Sequence, residues 1–553
     1  MTNPEVADAL INGFNNFRIQ FNTFSHSANI RFEKMQWHEQ RRAIQQRMEL
    51  HEFAIDSLAK MLQTQIDFGK IDWDAVSRIF VTSYLDDSWL PMAISFHNAI
   101  IRQAFAYKGL QHIISIPSFS EFKQPVSIYQ VTNNLYDTLA KALKNFELKV
   151  GFIHFERETQ LLVKKIETDV SEKVLGLVFH KNLFFRNKQA YAVGKIQGAT
   201  RAFPITIAMQ VSEAGASIKG LLLDEESIKN IFSFSRSYFL VNSESPCGTV
   251  NFLLSVMPSK PRAQLLINLG YQDLGKELLL QNMYRKMQSS DAKFTHAPGI
   301  AGMVMFVFYH PASNYVFKVV RGNIKPPKNT TEKEVFQKYR FVAEHDRVGR
   351  LADVQNFKNL ALPEKWFDTQ LKNELLAGAP ASVGLESGYL IFRTVFIERK
   401  LEPLNLYLQH HSDQENKEVI LDYGKAIKEM AYTNIFPGDL LIKNFGVTTN
   451  KKIVFYDYDE VVPLSDCTFR VLRKPRYDEE EYFAEYQDVV LENDIFPEEL
   501  LKFLLPEGPL RDTFLENYPE LFSVDFWNEW KEFHLKGAFI DLHPYNANIT
   551  PDD

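Results

Sequence analysis

Three polar residues in the last quarter of the chain have the types and spacing that phosphoryl transfer requires. Asn444 follows Asp439 by five positions, and Asp457 follows Asn444 by thirteen. In protein kinases the equivalent residues are an Asp that orients the attacking hydroxyl, an Asn that binds a metal, and an Asp that binds the metals bridging the phosphates. Pro-Gly-Asp and Tyr-Asp-Tyr-Asp-Glu replace the usual His-Arg-Asp and Asp-Phe-Gly. The spacing therefore predicts a divergent phosphotransferase site.

The alternative interpretation of these residues is a turn followed by a solvated acidic strand end. Residues 453–456, however, form a predicted strand, and the acids at 457 and 459 would lie where it ends. Carboxylate and amide oxygens gathered there suit Mg²⁺, which prefers oxygen ligands. We therefore predict Asp439 as a catalytic residue and Asn444 and Asp457 as metal ligands.

A glycine-containing segment and a lysine upstream suggest a site for nucleotide phosphates. The segment consists of Ala297, Pro298, Gly299, Ile300, Ala301, Gly302 and Met303. Its glycines would let backbone amides approach an anion, although an ordinary turn is the alternative. Lys318 stands in the apolar strand Tyr-Val-Phe-Lys-Val, where its ammonium must reach water or meet an anion. Together, in this order, they favour a nucleotide-phosphate site.

Three further acids have roles that the residues alone leave open. A kinase lysine pairs with a glutamate on the next helix, and both Glu334 and Glu344 are candidates here. Either is also explained as a solvated surface residue. Asp353 belongs to a dense polar cluster, which is either a charged helix end or the source of a second carboxylate near the phosphates.

The elements that would position these residues divide the chain near residue 292. Residues 1–292 are predicted as a mainly helical domain with a small sheet or hairpin near its middle. Its helical stretches are 30–62, 89–107 and 134–146, and its strand-like runs are 149–155, 174–185 and 203–210. Residues 293–553 are predicted as a two-lobed protein-kinase-like domain, which makes the whole chain α+β. Its first elements are strands at 299–309 and 315–320, a helix opened by a Thr331–Glu334 capping box, and a strand at 390–399.

Composition excludes several other classes of protein. The 553 residues imply two to four domains, and 45% hydrophobic with 24% charged residues is an ordinary globular balance. A net charge of −7 gives no attraction to nucleic acid or anionic lipid. Two widely separated cysteines, Cys247 and Cys467, fit a reducing cytoplasm. We expect a cytoplasmic protein, because no apolar run approaches the roughly 20 residues that cross a bilayer.

Several longer phrases resemble the bacterial isocitrate dehydrogenase kinase/phosphatase family. They are APGIAGMVM, YVFKVVRGNIKPPK, KYRFVAEHDRVGRLADVQNF, NIFPGDLLIKNFGV and VFYDYDE, and they occur in the family's order. Further similar phrases upstream, such as SYFLVNSESPCGTVNFLLSVMPSKP, extend the resemblance over nearly the full length.

The resemblance implies an enzyme that phosphorylates a serine of isocitrate dehydrogenase with ATP and Mg²⁺ (or Mn²⁺), and also removes that phosphate. This would control flux between the tricarboxylic acid cycle and the glyoxylate bypass. It implies an N-terminal regulatory domain that binds AMP as an allosteric effector. By position, residues 297–303 become the ATP loop, Lys318 the phosphate-binding lysine and Asp439 the catalytic-loop acid. Asn444 and Asp457 become metal ligands, and Asp353 becomes the acid linked to the phosphatase reaction.

Two other functions compete with this expectation. One is a catalytically weak, nucleotide-sensing protein that binds the dehydrogenase, and the other is a divergent Ser/Thr kinase with another substrate. The intact Lys318, Asp439, Asn444 and Asp457 argue against the first, and the unfamiliar motif words argue against the second. Beyond isocitrate dehydrogenase, a homodimer is the remaining partner expectation.

Overall fold

The computed structural model describes residues 1–232, 239–299, 301–326, 328, 330–472, 491, 493–538 and 540. Ile300, one of the seven residues of the predicted ATP loop, lies outside this described part of the chain. Within it, no helix combines the length and apolar composition needed to cross a membrane.

Helices form most of the N-terminal half. They are α1 (Asn3–His26), α2 (Ala28–Glu33), α3 (Trp37–Gln65), α4 (Trp73–Thr82), α5 (Leu90–Phe105), α6 (Leu135–Lys144), α7 (Phe155–Asp169), α8 (Glu225–Ile231), α9 (Pro246–Val256), α10 (Arg262–Asn268) and α11 (Gln272–Gln288). The Thr2–Glu5 capping box begins α1, which buries one apolar face with residues at helical spacing, among them Leu10, Phe14, Phe17 and Phe21. Phe14 and Phe17 of α1 each lie with ring centroids 5.5 Å from Phe96 of α5. The predicted helices are thus present, although Met35, with φ 53°, separates α2 from α3.

An antiparallel sheet interrupts these helices and is larger than predicted. Its strands are β1 (Val126–Gln130), β2 (Gly176–His180), β3 (Phe184–Arg186), β4 (Gln189–Gln197), β5 (Ala202–Ser212) and β6 (Gly215–Leu222). They are ordered β1-β2-β4-β5-β6, with β3 also paired to β4. The predicted strand at 149–155 is wrong. That segment makes only an isolated bridge from Phe152 to Ala216, because Phe155 already begins α7.

Strands dominate the start of the C-terminal half, and helices dominate its end. The strands are β7 (Thr295–His296), β8 (Met305–Tyr309), β9 (Tyr315–Val320), β10 (Val354–Pro363), β11 (Val383–Glu386), β12 (Tyr389–Arg399), β13 (Glu402–Pro403), β14 (Ile435–Phe436), β15 (Phe445–Val447), β16 (Ile453–Phe455), β17 (Val462–Pro463), β18 (Thr468–Phe469) and β19 (Asp494–Ile495). The helices are α12 (Glu332–His345), α13 (Thr369–Gly378), α14 (Leu404–His410), α15 (Asp413–Ala431), α16 (Pro497–Leu504), α17 (Pro509–Asn517) and α18 (Val524–Leu535).

The first lobe of this half is a sheet with one helix packed on it. Its strand order is β10-β12-β9-β8-β7, with β11 beside β12. The predicted capping box is confirmed: Thr331 and Glu334 bond reciprocally where α12 begins. Tyr339 of α12 stacks on Phe396 of β12, with ring centroids 4.1 Å apart. The strand predicted at 299–309 begins only at Met305, which leaves residues 297–299 and 301–304 as a loop.

Ion pairs join the two halves. Arg340 of α12 contacts Glu49 of α3 at 2.5 Å, and Lys358 of β10 contacts Asp56 of α3 at 2.6 Å. Arg186 of β3, 2% exposed, donates a hydrogen bond to the Arg347 carbonyl at 3.1 Å. The N-terminal half therefore contacts the same lobe that holds the predicted nucleotide-binding residues.

Candidate active site

A short hairpin brings Asn444 and Asp457 to the same place. In strands β15 and β16, Phe445 lies opposite Phe455. Asn444 comes directly before β15, and the Tyr456 N–H, directly after β16, donates to its carbonyl at 3.1 Å. Asp457 is the next residue. Pairing of two apolar strands thus places an amide and a carboxylate, thirteen positions apart in sequence, at one end of the hairpin.

Asp439 lies in the loop that leads into this hairpin. The Asn444 Nδ2 donates to its carbonyl at 3.4 Å, and its own Oδ1 accepts the Leu441 N–H at 3.0 Å. Gly438 precedes it with φ +78°, and a Cβ there would lie 2.4 Å from the Glu460 carbonyl oxygen. Glycine is therefore required beside Asp439, which explains the unusual Pro-Gly-Asp.

Asp457 and Asp459 form a carboxyl pair. Burial, together with the side chain and charge of Asp459, raises the pKa of Asp457 well above its ordinary range. Burial also disfavours the charged form of Asp459, but its hydrogen bond with Asp457 and the charge of Lys328 lower its pKa. The Lys328 Nζ lies 3.2 Å from Asp459.

These residues suit a divalent cation. No group of three or more His, Cys, Asp and Glu side chains arranged for a metal occurs among the residues that the structure describes. Mg²⁺, however, is commonly held by one or two carboxylates, with waters and substrate phosphates completing its shell. A cation beside Asp457 would offset the burial and the neighbouring Asp459 charge that raise its pKa. The donor set of Asn444, Asp457 and Asp459 therefore fits Mg²⁺.

Lys318 is buried beside this hairpin, in β9. Its ammonium is 2.7 Å from the Glu398 Oε1 and donates to the Tyr456 carbonyl at 2.7 Å. Neither candidate partner on the next helix, Glu334 or Glu344, pairs with Lys318. Glu334 caps α12, and Glu344 accepts from Arg340 at 2.8 Å. Lys318 thus connects the first lobe to the residue that precedes Asp457.

The glycine-containing segment joins β7 to β8. The Ala297 N–H donates to the Val307 carbonyl at 3.0 Å, and Val307 lies opposite Lys318 in the sheet. Gly299 has φ +112°, and the Gly302 carbonyl accepts from the Arg321 Nε at 3.0 Å. Pro298, Ala301 and Met303 lie in the same connection, so the loop and Lys318 come from neighbouring strands.

Comparison with known proteins agrees with this arrangement. A family model described as the isocitrate dehydrogenase kinase/phosphatase (AceK) regulatory domain matches residues 7–291. The model of the corresponding kinase domain matches residues 292–547. The chain belongs to the isocitrate dehydrogenase kinase/phosphatase family. It is accordingly a helical regulatory domain followed by a kinase domain.

Curated relatives match over the full length. The isocitrate dehydrogenase kinase/phosphatase of Burkholderia thailandensis is 34% identical over 565 residues, covering 99% of this chain and 94% of the relative. Those of Burkholderia mallei and Burkholderia pseudomallei match with the same identity and coverage. Among solved structures, the bifunctional kinase-methyltransferase WbdD is 12% identical and covers 44% of this chain and 46% of its own, with a TM-score of 0.21. That likeness is too weak for a structural argument.

Asp353, which the family resemblance links to the phosphatase reaction, lies just before β10. Its Oδ1 accepts from the Gln355 Nε2 at 2.7 Å. The next residue, Val354, is opposite Glu398 in the sheet, and the Asp353 charge contributes to raising the pKa of Glu398, which burial raises most. Asp353 is thus one strand away from the partner of Lys318.

Glu398 is the site residue that sequence reasoning missed. It is 3% exposed and lies in the strand Tyr-Leu-Ile-Phe-Arg-Thr-Val-Phe-Ile-Glu-Arg. An acid near the end of an apolar strand must find a cation, which is the argument already made for Lys318. That signal was present, but only strand register shows that the two residues meet.

Proposed function

We propose that this member of the family transfers the ATP γ-phosphoryl group to a serine of isocitrate dehydrogenase and also hydrolyses that phosphoserine. The observation that carries the proposal is the position of Lys318. Its ammonium lies between Glu398 and the backbone next to Asp457, where nucleotide phosphates and a metal would meet. Reversible modification of the dehydrogenase would direct carbon between the tricarboxylic acid cycle and the glyoxylate bypass.

In the kinase direction, the serine oxygen forms a bond to the γ-phosphorus and the bond to the β,γ-bridging oxygen breaks, releasing ADP. Asp439 orients the serine hydroxyl and accepts its proton. Lys318 stabilises charge on the phosphate oxygens, and the 297–303 loop covers them. Asn444 and Asp457 would hold Mg²⁺ or Mn²⁺, which would neutralise phosphate charge.

In the phosphatase direction, a water oxygen bonds to phosphorus, the serine–phosphorus bond breaks and the serine oxygen regains a proton. Asp439 or Asp353 would position this water. Measuring phosphate release from phosphorylated dehydrogenase separates these assignments. Asp353→Ala should lower release while leaving phosphorylation measurable; an unchanged rate of release would remove Asp353 from the phosphatase site.

The kinase assignment is tested by labelling isocitrate dehydrogenase with γ-labelled ATP. Asp457→Ala and Lys318→Met should each reduce labelling by at least about 100-fold, because each removes charge stabilisation at the transferring phosphate. Asp512→Ala changes an exposed acid of α17 and serves as the control. Labelling retained by either site variant would contradict the proposed site.

Effector binding is proposed for the boundary between the halves, which we place at residues 292 and 293. A cavity of about 360 Å³ lies there, and its lining includes Arg262, Arg285 and Arg399. Three guanidinium groups suit the phosphate of AMP. AMP should bind the wild-type chain and shift the ratio of the two activities, and Arg285→Gln should weaken that effect. An identical AMP response in the variant would place the effector elsewhere.

A homodimer stays a prediction. Sedimentation velocity over a range of protein concentrations tests it, because a reversible dimer changes its sedimentation coefficient with concentration. A single concentration-independent species with the mass of one chain would contradict it.

A further inference from the structure

The lysine that would bind nucleotide phosphate takes its partner from a strand. Lys318 and Glu398 belong to β9 and β12, which are hydrogen-bonded neighbours in one sheet. Phe396 lies opposite Lys318, and Glu398 lies opposite Val316, so the acid is two positions further along. The ion pair is fixed by sheet register and requires no movement of a helix.

Helix α12 is fixed by contacts of its own. Its first turn is capped by Thr331, and Tyr339 stacks on Phe396. Lys338 donates to the Asp459 carbonyl, which connects the helix to the carboxyl pair. Helix α12 thus contacts the site through Asp459, and neither Glu334 nor Glu344 contacts Lys318.

The two carboxylate oxygens of Glu398 have different surroundings. One oxygen accepts from Lys318, while the other, Oε2, is buried without a hydrogen-bond partner among the described residues. An unpaired buried carboxylate oxygen is costly, and selection for stability alone would favour an apolar residue here. A role in positioning Lys318 for the reaction would explain why an acid is kept here despite this cost.

Resting on the proposed function, we propose that Glu398 is the positioning residue for Lys318, and that it replaces the helix glutamate used by ordinary protein kinases. The strand pair holds the ammonium towards the phosphates whether or not α12 moves. Control of Lys318 then comes through the end of β12. Arg399 follows Glu398 there and bonds to Gln264 of α10. With the Gln264 amide oriented so that its oxygen faces Arg399, that oxygen accepts from the Arg399 Nε at 3.1 Å and from Nη2 at 2.9 Å.

Kinetics of matched glutamate variants test the role of Glu398. Glu398→Ala should lower kcat for dehydrogenase phosphorylation by about 100-fold, because a misplaced charge fails chiefly at the transition state. The KM for ATP should rise by no more than about threefold. Glu398→Asp, which keeps the charge, should recover part of kcat. Glu334→Gln and Glu344→Gln should leave both constants near those of the wild type.

A second measurement needs no catalysis. Lys318 in the nucleotide-free chain is modified with an amine-reactive reagent, and its peptide is quantified by mass spectrometry. Glu398→Ala and Glu398→Gln should increase the rate of modification severalfold, since the ammonium loses its ion-pair partner. Glu344→Gln should not change it. Circular dichroism and thermal melts identify variants that fail to fold, in which case Glu398→Asp supplies the comparison.

The outcomes separate this inference from the proposed function. If Lys318→Met loses labelling while Glu398→Ala keeps both kcat and the wild-type reactivity of Lys318, the inference is wrong and the function stands. Loss of activity in Glu344→Gln but not in Glu398→Ala would restore the helix partner. If Lys318→Met itself keeps full activity, the proposed site fails.

Discussion

Arg350 offers the sharpest test of how the site is supported. It lies between α12 and β10, and its side chain is only 2% exposed. Its Nη1 and Nη2 donate to the Asp422 carboxylate at 2.6 and 2.8 Å, its Nε donates to Glu429, and Nη1 also donates to the Ile453 carbonyl at 2.9 Å. The same carboxylate accepts the Ile453 N–H at 2.7 Å. Arg350 therefore anchors the first residue of β16.

Arg350→Met removes the charge and keeps a side chain of comparable reach. Breaking a fully buried ion pair costs about 3–5 kcal/mol, because the remaining acid is left buried and uncompensated. Here Asp422 and Glu429 are 24% and 19% exposed, so water compensates part of the loss. We expect the free energy of unfolding of the C-terminal half to fall by about 3 kcal/mol, at the low end of that range.

Urea unfolding followed by tryptophan fluorescence measures this change, and hydrogen exchange locates it. The amides of β16 should exchange faster in the variant. Asp422→Asn completes a double-mutant cycle, whose coupling energy should exceed about 1 kcal/mol. Lys502→Met is the control, because Lys502 is 65% exposed in its ion pair with Glu499. It should lower the free energy of unfolding by less than about 1 kcal/mol. A loss below 1 kcal/mol in Arg350→Met, or additivity with Asp422→Asn, would refute the reasoning.

Three further changes have separate expected results. Burial lowers the pKa of His180 from 6.5 to about 4, so the unfolded chain binds a proton first as pH falls. His180 should contribute about 2 kcal/mol to the drop in unfolding free energy between pH 7 and pH 5 in urea titrations, so the drop should be smaller by that amount in His180→Gln. Gly438→Ala should lower kinase kcat by at least about tenfold in the labelling assay, because its Cβ would displace the backbone beside Asp439. Thr331→Val should cost about 1 kcal/mol of unfolding free energy by removing the α12 cap. An unfolding free energy of the wild type that does not change with pH would contradict the first prediction. An unchanged kcat in Gly438→Ala would contradict the second, and an unchanged unfolding midpoint in Thr331→Val would contradict the third.

The parts of the candidate site whose positions sequence can predict depend on local structure. Two apolar strands with a short connection between them fix where Asn444 and Asp457 meet, and two apolar runs separated by a short polar segment are enough to predict such a hairpin. The capping box at Thr331 is equally local. The partner of Lys318, which sequence left open between Glu334 and Glu344, was missed for the opposite reason. Which acid meets Lys318 depends on pairing between β9 and β12, which begin more than seventy residues apart.

Two strand errors have similar physical causes. Strand β10 was not predicted because Val-Gln-Asn-Phe-Lys-Asn contains polar residues that bond to the helices packed beside it. Lys358 pairs with Asp56 of α3, and Asn359 donates to the Gln103 carbonyl of α5. Residues 149–155 were predicted as a strand because they are rich in β-branched and aromatic residues, but Phe152 and Phe155 pack together as an aromatic pair at the start of α7. The two segments also differ in burial: β10 is largely buried, whereas residues 149–155 are partly or fully exposed.

The unusual sequence around Asp457 is explained by the contacts that its residues make. In Tyr-Asp-Tyr-Asp-Glu, the Tyr456 carbonyl accepts from Lys318, and the Tyr458 hydroxyl donates to the Ala352 carbonyl at 2.8 Å. The Ala352 N–H in turn donates to the Phe455 carbonyl at 2.9 Å. Because Ala352 precedes Asp353, the segment holding the proposed phosphatase acid is bonded on both sides to the segment holding the proposed metal acid. Asp-Phe-Gly has no hydroxyl at the position of Tyr458 and could not make this connection. The divergence from ordinary kinases therefore lies where the proposed acids of the two reactions are held in fixed relation.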